Sequence, residues 1–136
     1  MAGYSGTPLA KKLGIKEGHS VGVINAPDDF GALLDPLPDG AKIVSGVRTR
    51  RDVVVAFVKA RTELEQKLAA VTQAIFPDGA IWIAWPKKAS KVPTDITENV
   101  VREVALPTGL VDNKVCAIDD TWSGLRLVVR VANRAL

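Results

Sequence analysis

Apolar residues fall along this chain in distinct patterns, and each pattern predicts a different element. Unbroken apolar runs occur at Val53-Val54-Val55-Ala56-Phe57-Val58 and at Ala80-Ile81-Trp82-Ile83-Ala84-Trp85. Neither alternates with polar residues, so each predicts a strand buried on both faces, as in the middle of a parallel sheet. The second run follows the turn sequence Phe76-Pro77-Asp78-Gly79 and stops at Pro86, which has no N–H for a ladder. It is the predicted central strand.

Elsewhere the spacing is helical. Leu64, Leu68, Val71 and Ile75 recur at i, i+4, i+7 and i+11. They predict an amphipathic helix of about 14 residues, with Thr62 and Glu65 as its capping box. Ile96, Val100, Val101 and Val104 predict another, capped by Thr94 or Asp95 and ended by Pro107 to Gly109. A short helix bearing Leu9 and Leu13 opens at Thr7-Pro8, with Thr7 as cap, and closes at Gly14. Phe30, Leu33 and Leu34 form one more helical face behind Asp28 and Asp29, cut short by Pro36 and Pro38. Weaker strands are predicted over His19–Asn25 and Ala41–Ser45. A hairpin finishes the chain: Lys114–Asp119, a turn through Asp120 to Gly124, then Leu125–Val131.

The resulting order is α-β-α-β-β-α-β-α-β-β. Strands alternating with helices imply right-handed crossovers and a mainly parallel sheet. The last two strands share a tight turn and must run antiparallel. The fold class is therefore α/β: one three-layer domain over residues 1–136, with about six strands and with residues 1–15 as an N-terminal helical extension.

Composition narrows the function classes. A chain of 136 residues fits one domain, and 47% apolar with 24% charged residues is a globular balance. The net charge of +3 and isoelectric point of 9.2 are only mildly basic. Arg48, Arg50 and Arg51 precede one parallel strand, whereas Lys87, Lys88 and Lys91 follow another. The two clusters belong at opposite ends of the sheet, which argues against a nucleic-acid stripe. Cys116 is the sole cysteine, so no internal disulfide or cysteine-pair metal site is expected. The start, Met1 to Thr7, has no basic-then-apolar signal, and no apolar run nears the roughly 20 residues of a membrane helix. A cytoplasmic protein without membrane attachment is the expectation.

The segment Asp52-Val53-Val54-Val55-Ala56-Phe57, a helix, Pro77-Asp78-Gly79, Ile81-Trp82-Ile83-Ala84-Trp85-Pro86-Lys87, a helix and a hairpin together resemble the C-terminal half of class I S-adenosylmethionine-dependent methyltransferases, which have a Rossmann-like sheet. The whole chain resembles a family of short bacterial proteins of unknown function. The residues carrying that likeness are Ser5 to Ile15, Asn25-Ala26-Pro27, the Trp85-Pro86-Lys87 stretch and Asp119 to Arg126. The methyltransferase likeness implies a cofactor site after the first strand. Such a site needs a glycine-rich turn there and an acidic residue after the second strand. This chain has Ile24-Asn25-Ala26-Pro27-Asp28-Asp29 at the first place and Ser45-Gly46-Val47-Arg48 at the second. No cofactor is expected on that reading.

Ligands of open α/β sheets bind beyond the carboxyl ends of the parallel strands. That rule selects Asn25, Asp28, Asp29, Lys59, Arg61, Trp85, Lys87 and Lys88. Asp119 and Trp122 in the hairpin turn join them as candidates. The set suits a small anionic or nucleotide-like ligand. The plainer alternative is loop chemistry: solvated lysines, Asp28 capping a helix, and Asp119-Asp120-Thr121-Trp122-Ser123 serving a turn that favours such residues for backbone reasons. His19 has no cysteine or aspartate in motif spacing, so no triad or metal site is assigned. Cys116 reads as a small buried hydrophobe. No catalytic residue is assigned. The sequence thus favours a non-catalytic, methyltransferase-like protein that binds a partner or small anionic ligand. An enzyme with a degenerate S-adenosylmethionine site is the alternative, and self-association stays open.

Overall fold

The computed structural model describes residues 7–134; Ser5 and Gly6, at the head of the family-like N-terminal stretch, lie outside them. The elements run α1 (Leu9–Lys12), β1 (Ser20–Ile24), α2 (Phe30–Leu33), β2 (Lys42–Ser45), β3 (Val53–Phe57), α3 (Arg61–Ile75), β4 (Ala80–Pro86), α4 (Glu98–Ala105), β5 (Leu110–Ala117) and β6 (Trp122–Val129). The strands form one six-stranded sheet in the order β2-β1-β3-β4-β6-β5. β1 to β4 are mutually parallel, while β6 runs antiparallel to β4 and to β5.

Burial explains the unbroken apolar runs. Along β3, Val54 and Ala56 face one core with Leu64, Leu68 and Val71 of α3 and Val101 and Ala105 of α4. Val53, Val55 and Phe57 face a second core with Ala10 and Leu13 of α1 and Phe30 of α2. Every residue of β3 and β4 is buried, because both faces of these strands are covered. Side chains alternate, so Ile81, Ile83 and Trp85 of β4 serve the α3–α4 core, while Trp82 and Ala84 serve the other.

Helix ends differ from the local reading. Thr62 and Glu65 do not cap α3. Glu63 does, accepting from the Lys59 and Ala60 N–H groups at 3.0 and 3.1 Å. Asp95 adds a cap from far along the chain, accepting from Arg61 N at 2.7 Å. Asp95 is thereby occupied at α3, and α4 begins instead at Thr97, whose hydroxyl accepts from Val100 N at 3.2 Å. At α1 the N-cap is Pro8 and no side chain caps the helix. In α2, Phe30 and Leu34 are buried but Leu33 is 36% exposed. The hairpin strands are longer than expected and their turn shorter, because Trp122 to Gly124 pair with Pro86 to Ala84.

β2 returns to β3 across β1 without a crossover helix. Parallel connections ordinarily take a dozen residues or more. Here residues 46–52 make the passage, lying flat on β1. Gly22 permits this: a β-carbon there would stand 2.8 Å from the Gly46 carbonyl oxygen and 3.0 Å from Arg51 Cγ. Arg51 is pinned over that spot, its Nε donating to Gly46 O at 3.2 Å and its Nη1 to Ser20 Oγ at 3.2 Å and Thr49 Oγ1 at 2.8 Å. At the sheet's far edge, β5 carries a register shift between Asp112 and Lys114. Bulges and lysines of this kind blunt an edge against further strand pairing.

Asp52 ties the amino ends of the strands together. Its carboxylate accepts from Ser20 N at 2.8 Å and from Arg50 Nη1 at 2.9 Å. Partial burial pushes its pKa up, but the Ser20 N–H, Arg50 and the nearby His19 outweigh that and hold it below its ordinary value. A folded-state pKa depressed in this way gives stability that is present above the unfolded pKa and lost as pH falls through the folded one. Asp52→Asn is therefore expected to flatten the loss of stability as pH falls through and below the ordinary aspartate range. Urea midpoints measured across that range check it. An unchanged acid slope in the variant would count against the role given to Asp52.

Candidate functional site

The carboxyl ends of the parallel strands meet around the point where the chain order reverses, between β1 and β3. That is where open α/β sheets hold their ligands. β1 gives way there to Asn25, which takes a left-handed backbone with φ 55°. Asparagine tolerates this region better than other non-glycine residues. β2 ends beside it in Gly46, φ 83°, whose N–H donates to Val23 O at 3.0 Å.

Just beyond the strand ends, on the α1–α2 side, three aromatic rings pack in series. Phe57, the last residue of β3, stands edge-on to Phe30 from α2, with centroids 5.0 Å apart and planes at 75°. It also stands edge-on to Trp122 from the hairpin, at 5.0 Å and 89°. These are favoured quadrupole geometries. Phe57 and Phe30 are each 2% exposed. The trio joins α2, the end of β3 and the start of β6 through ring contacts.

This geometry divides the residues selected from sequence. Asn25 and Asp28 are exposed on the β1 side of the trio. Asp29 is the N-cap of α2 but makes no side-chain capping bond. Trp122 belongs to the trio. Trp85 is 7% exposed and lies in the α3–α4 core, on the opposite face of the sheet from Trp122. Asp119 is spent on the turn, its carboxylate accepting from Thr121 N at 2.8 Å and Trp122 N at 2.7 Å. Lys87 is held to the same turn through its backbone, N–H to Thr121 O at 2.7 Å.

Lys59 is exposed, and its carbonyl accepts from the Thr94 hydroxyl at 2.6 Å. That bond joins the end of β3 to the loop before α4. Three arginines are taken up in ion pairs: Arg50 with Asp52 and Asp78, Arg61 with Glu65 and Glu103, Arg102 with Glu98 and Asp112. Lys59, Lys87, Lys88 and Lys91 enter no ion pair among the described residues. These four lysines follow β3 and β4 in the chain, at the carboxyl-end rim of the parallel strands. The Arg50 group lies at the other end of the parallel strands, bonded to Asp78 and to the Phe76 carbonyl just before β4.

Other reactive side chains are occupied or muted. His19 Nδ1 accepts from Lys16 N at 3.1 Å within a turn. Burial pushes the Cys116 thiol pKa up, against the pull of Lys12 and Lys114. Among the described residues, no three or more His, Cys, Asp or Glu side chains converge as a metal ion would require. No helix among them is long and apolar enough to cross a membrane. The sequence reading missed Glu65 and Glu103 as the partners that share Arg61. Only the Arg61–Glu65 spacing at i, i+4 was visible locally, since Glu103 arrives from another helix.

Solved structures of similar architecture include methyltransferases. A SAM-dependent methyltransferase from Aquifex aeolicus matches with a TM-score of 0.63 and 14% identity, over 89% of this chain and 88% of that one. The DhpI–SAH complex matches with 0.64 and 9%, over 91% and 83%. Magnesium protoporphyrin IX methyltransferase from Synechocystis PCC 6803 with bound SAM matches with 0.61 and 9%, over 89% and 74%. At such identities the likeness establishes the fold alone. No curated protein matches the chain. Residues 10–131 match the family described as "Protein of unknown function (DUF3052)", and the chain belongs to that family.

Proposed function

We propose that this chain is a non-catalytic, methyltransferase-like protein that binds a small anionic ligand at the carboxyl-end rim. The observation that carries this reading is the set of cations after β3 and β4, Lys59, Lys87, Lys88 and Lys91, which enter no ion pair among the described residues. Unpaired ammonium groups past the carboxyl ends of parallel strands attract phosphate or carboxylate groups.

The residues present do not fit S-adenosylmethionine. Pro27 lacks an N–H where backbone donors would meet the cofactor, and the Asp28 and Asp29 carboxylates would repel its methionine carboxylate. β2 ends in Ser45-Gly46, without an acid for a ribose. Phe30, Phe57 and Trp122 occupy the neighbouring space. A second reading, an enzyme with a degenerate S-adenosylmethionine site, draws on the left-handed turn at Asn25, a backbone shape such sites give to glycine.

Thermal shift of the full chain with ADP, inorganic phosphate and S-adenosylmethionine separates the readings. ADP at about 100 times its dissociation constant is expected to add about 2.7 kcal/mol of stability. Lys59→Glu combined with Lys87→Glu should remove that gain. S-adenosylmethionine should leave the transition unmoved. Stabilisation by S-adenosylmethionine alone would replace this proposal with the second reading. Stabilisation by none of the three would overturn the small-ligand site and leave a protein partner as the occupant of the rim.

A further inference from the structure

A concavity lies between α3 and α4, on the sheet face away from the aromatic trio. Its volume is about 860 Å³, within the range of small-ligand sites. Leu68, Phe76, Val104 and Pro107 supply its apolar surface. The threonines on its wall use their hydroxyls within their own helical turns. Thr72 Oγ1 donates to Leu68 O at 2.8 Å and Thr108 Oγ1 to Ala105 O at 2.6 Å. They add little hydrogen-bonding demand to the groove.

Charge is gathered at one end. Arg61 pairs there with Glu65 at 3.3 Å and Glu103 at 3.0 Å. Asp95 sits against the Arg61 backbone N–H at 2.7 Å. Glu65 and Glu103 thus share a single guanidinium, and the charged lining of that end is net negative. Glu65 and Glu103 are 49% and 60% exposed, so each can turn from Arg61 toward a second cation at little cost.

We propose that this groove binds a small amphiphilic cation: an aromatic or branched aliphatic body on Leu68, Phe76 and Val104, with one amine at the Glu65–Glu103 end. Charge complementarity sets the choice. A carboxylate ligand would meet like charge at the only charged end of the groove, and a neutral hydrocarbon would leave the carboxylate excess uncompensated. The site differs from the lysine rim in the sign of its charge and in its apolar floor.

The test uses 2-naphthylmethylamine as probe and 2-naphthoate as its anionic counterpart, titrated into the full ¹⁵N-labelled chain. The amine is expected to saturate and to move the amide signals of α3 and α4, while the naphthoate moves none of them. Ala69→Trp, a change at an exposed groove residue, should fill the groove and weaken the amine by at least about tenfold. Glu103→Gln should weaken it about threefold, the scale of an exposed ion pair, and does so without adding bulk should the tryptophan variant fold poorly. No signal movement at millimolar amine, equal affinity for the naphthoate, or unchanged affinity in Glu103→Gln would each overturn the proposal.

Discussion

Replacing Trp82 with alanine is expected to lower the unfolding free energy by about 3–5 kcal/mol, the range for deleting a large buried aromatic. Trp82 has no exposed surface and stands at the centre of β4, between β3 and β6. Its ring belongs to the core shared with α1 and α2. Its indole Nε1–H donates to the Leu13 carbonyl at 2.9 Å, a buried bond that fastens the end of α1 to the sheet. Alanine would remove both the packing and the donor. The void could not close easily, because Trp82 is hemmed by strands on either side and Gly124 backbone lies against its Cε3 edge. Trp82→Phe isolates the polar part. It keeps most of the apolar volume and leaves the Leu13 carbonyl unpaired, with an expected loss of about 1–3 kcal/mol. Urea unfolding followed by far-ultraviolet circular dichroism reads both. Against a total stability of about 5–15 kcal/mol for a domain, the alanine change removes a large share. A loss below about 1 kcal/mol for Trp82→Ala would mean that α1 is not held in this way.

Gly22→Ala is the second large effect, expected to cost about 1–3 kcal/mol despite adding a single methyl group. Alanine ordinarily suits a strand better than glycine. Here its β-carbon would stand 2.8 Å from the Gly46 carbonyl oxygen. That oxygen cannot retreat freely. Gly46 is in a left-handed turn, bonded by its N–H to Val23, and its oxygen also receives Arg51 Nε. The methyl group would lift residues 46–51 off β1 and break the Arg51 bonds to Gly46, Ser20 and Thr49. Gly31→Ala is the matched control. Gly31 lies in α2 with nothing within 4 Å of where its β-carbon would go. That change should be neutral or stabilising by up to about 1 kcal/mol. Chemical denaturation of the two variants side by side decides the matter, since equal effects at both positions would remove the short crossover as the cause.

These two positions also show how much of the molecule could be read locally. Burial on both faces of β3 and β4 was legible because an unbroken apolar run leaves no wet side. The inner face of α3 was legible because Leu64, Leu68, Val71 and Ile75 repeat at helical spacing and all are buried. Gly22 was not legible. Its need for a bare backbone comes from a segment more than twenty residues later in the chain. The capping of α3 failed for the same reason. Local rules chose Thr62 and Glu65, whereas Glu63 and the distant Asp95 hold the helix.

The amino-acid pattern alone determined the fold class, the order of elements and the antiparallel close, since periodicity states which residues must leave water and a tight turn leaves one direction for its second strand. Tertiary structure decided the rest of the site. Trp85 and Trp122 read alike along the chain, as aromatics near the strand ends, yet the pleat sends Trp85 into the α3–α4 core and the β4–β6 register brings Trp122 onto Phe57. Which cations find partners was settled in the same way. Arg50, Arg61 and Arg102 each meet a carboxylate brought in from a distant part of the chain, Asp78, Glu103 and Asp112, and the lysines after β3 and β4 meet none among the described residues. Such pairings depend on strand order and helix placement, long-range properties that spacing along a single segment does not encode.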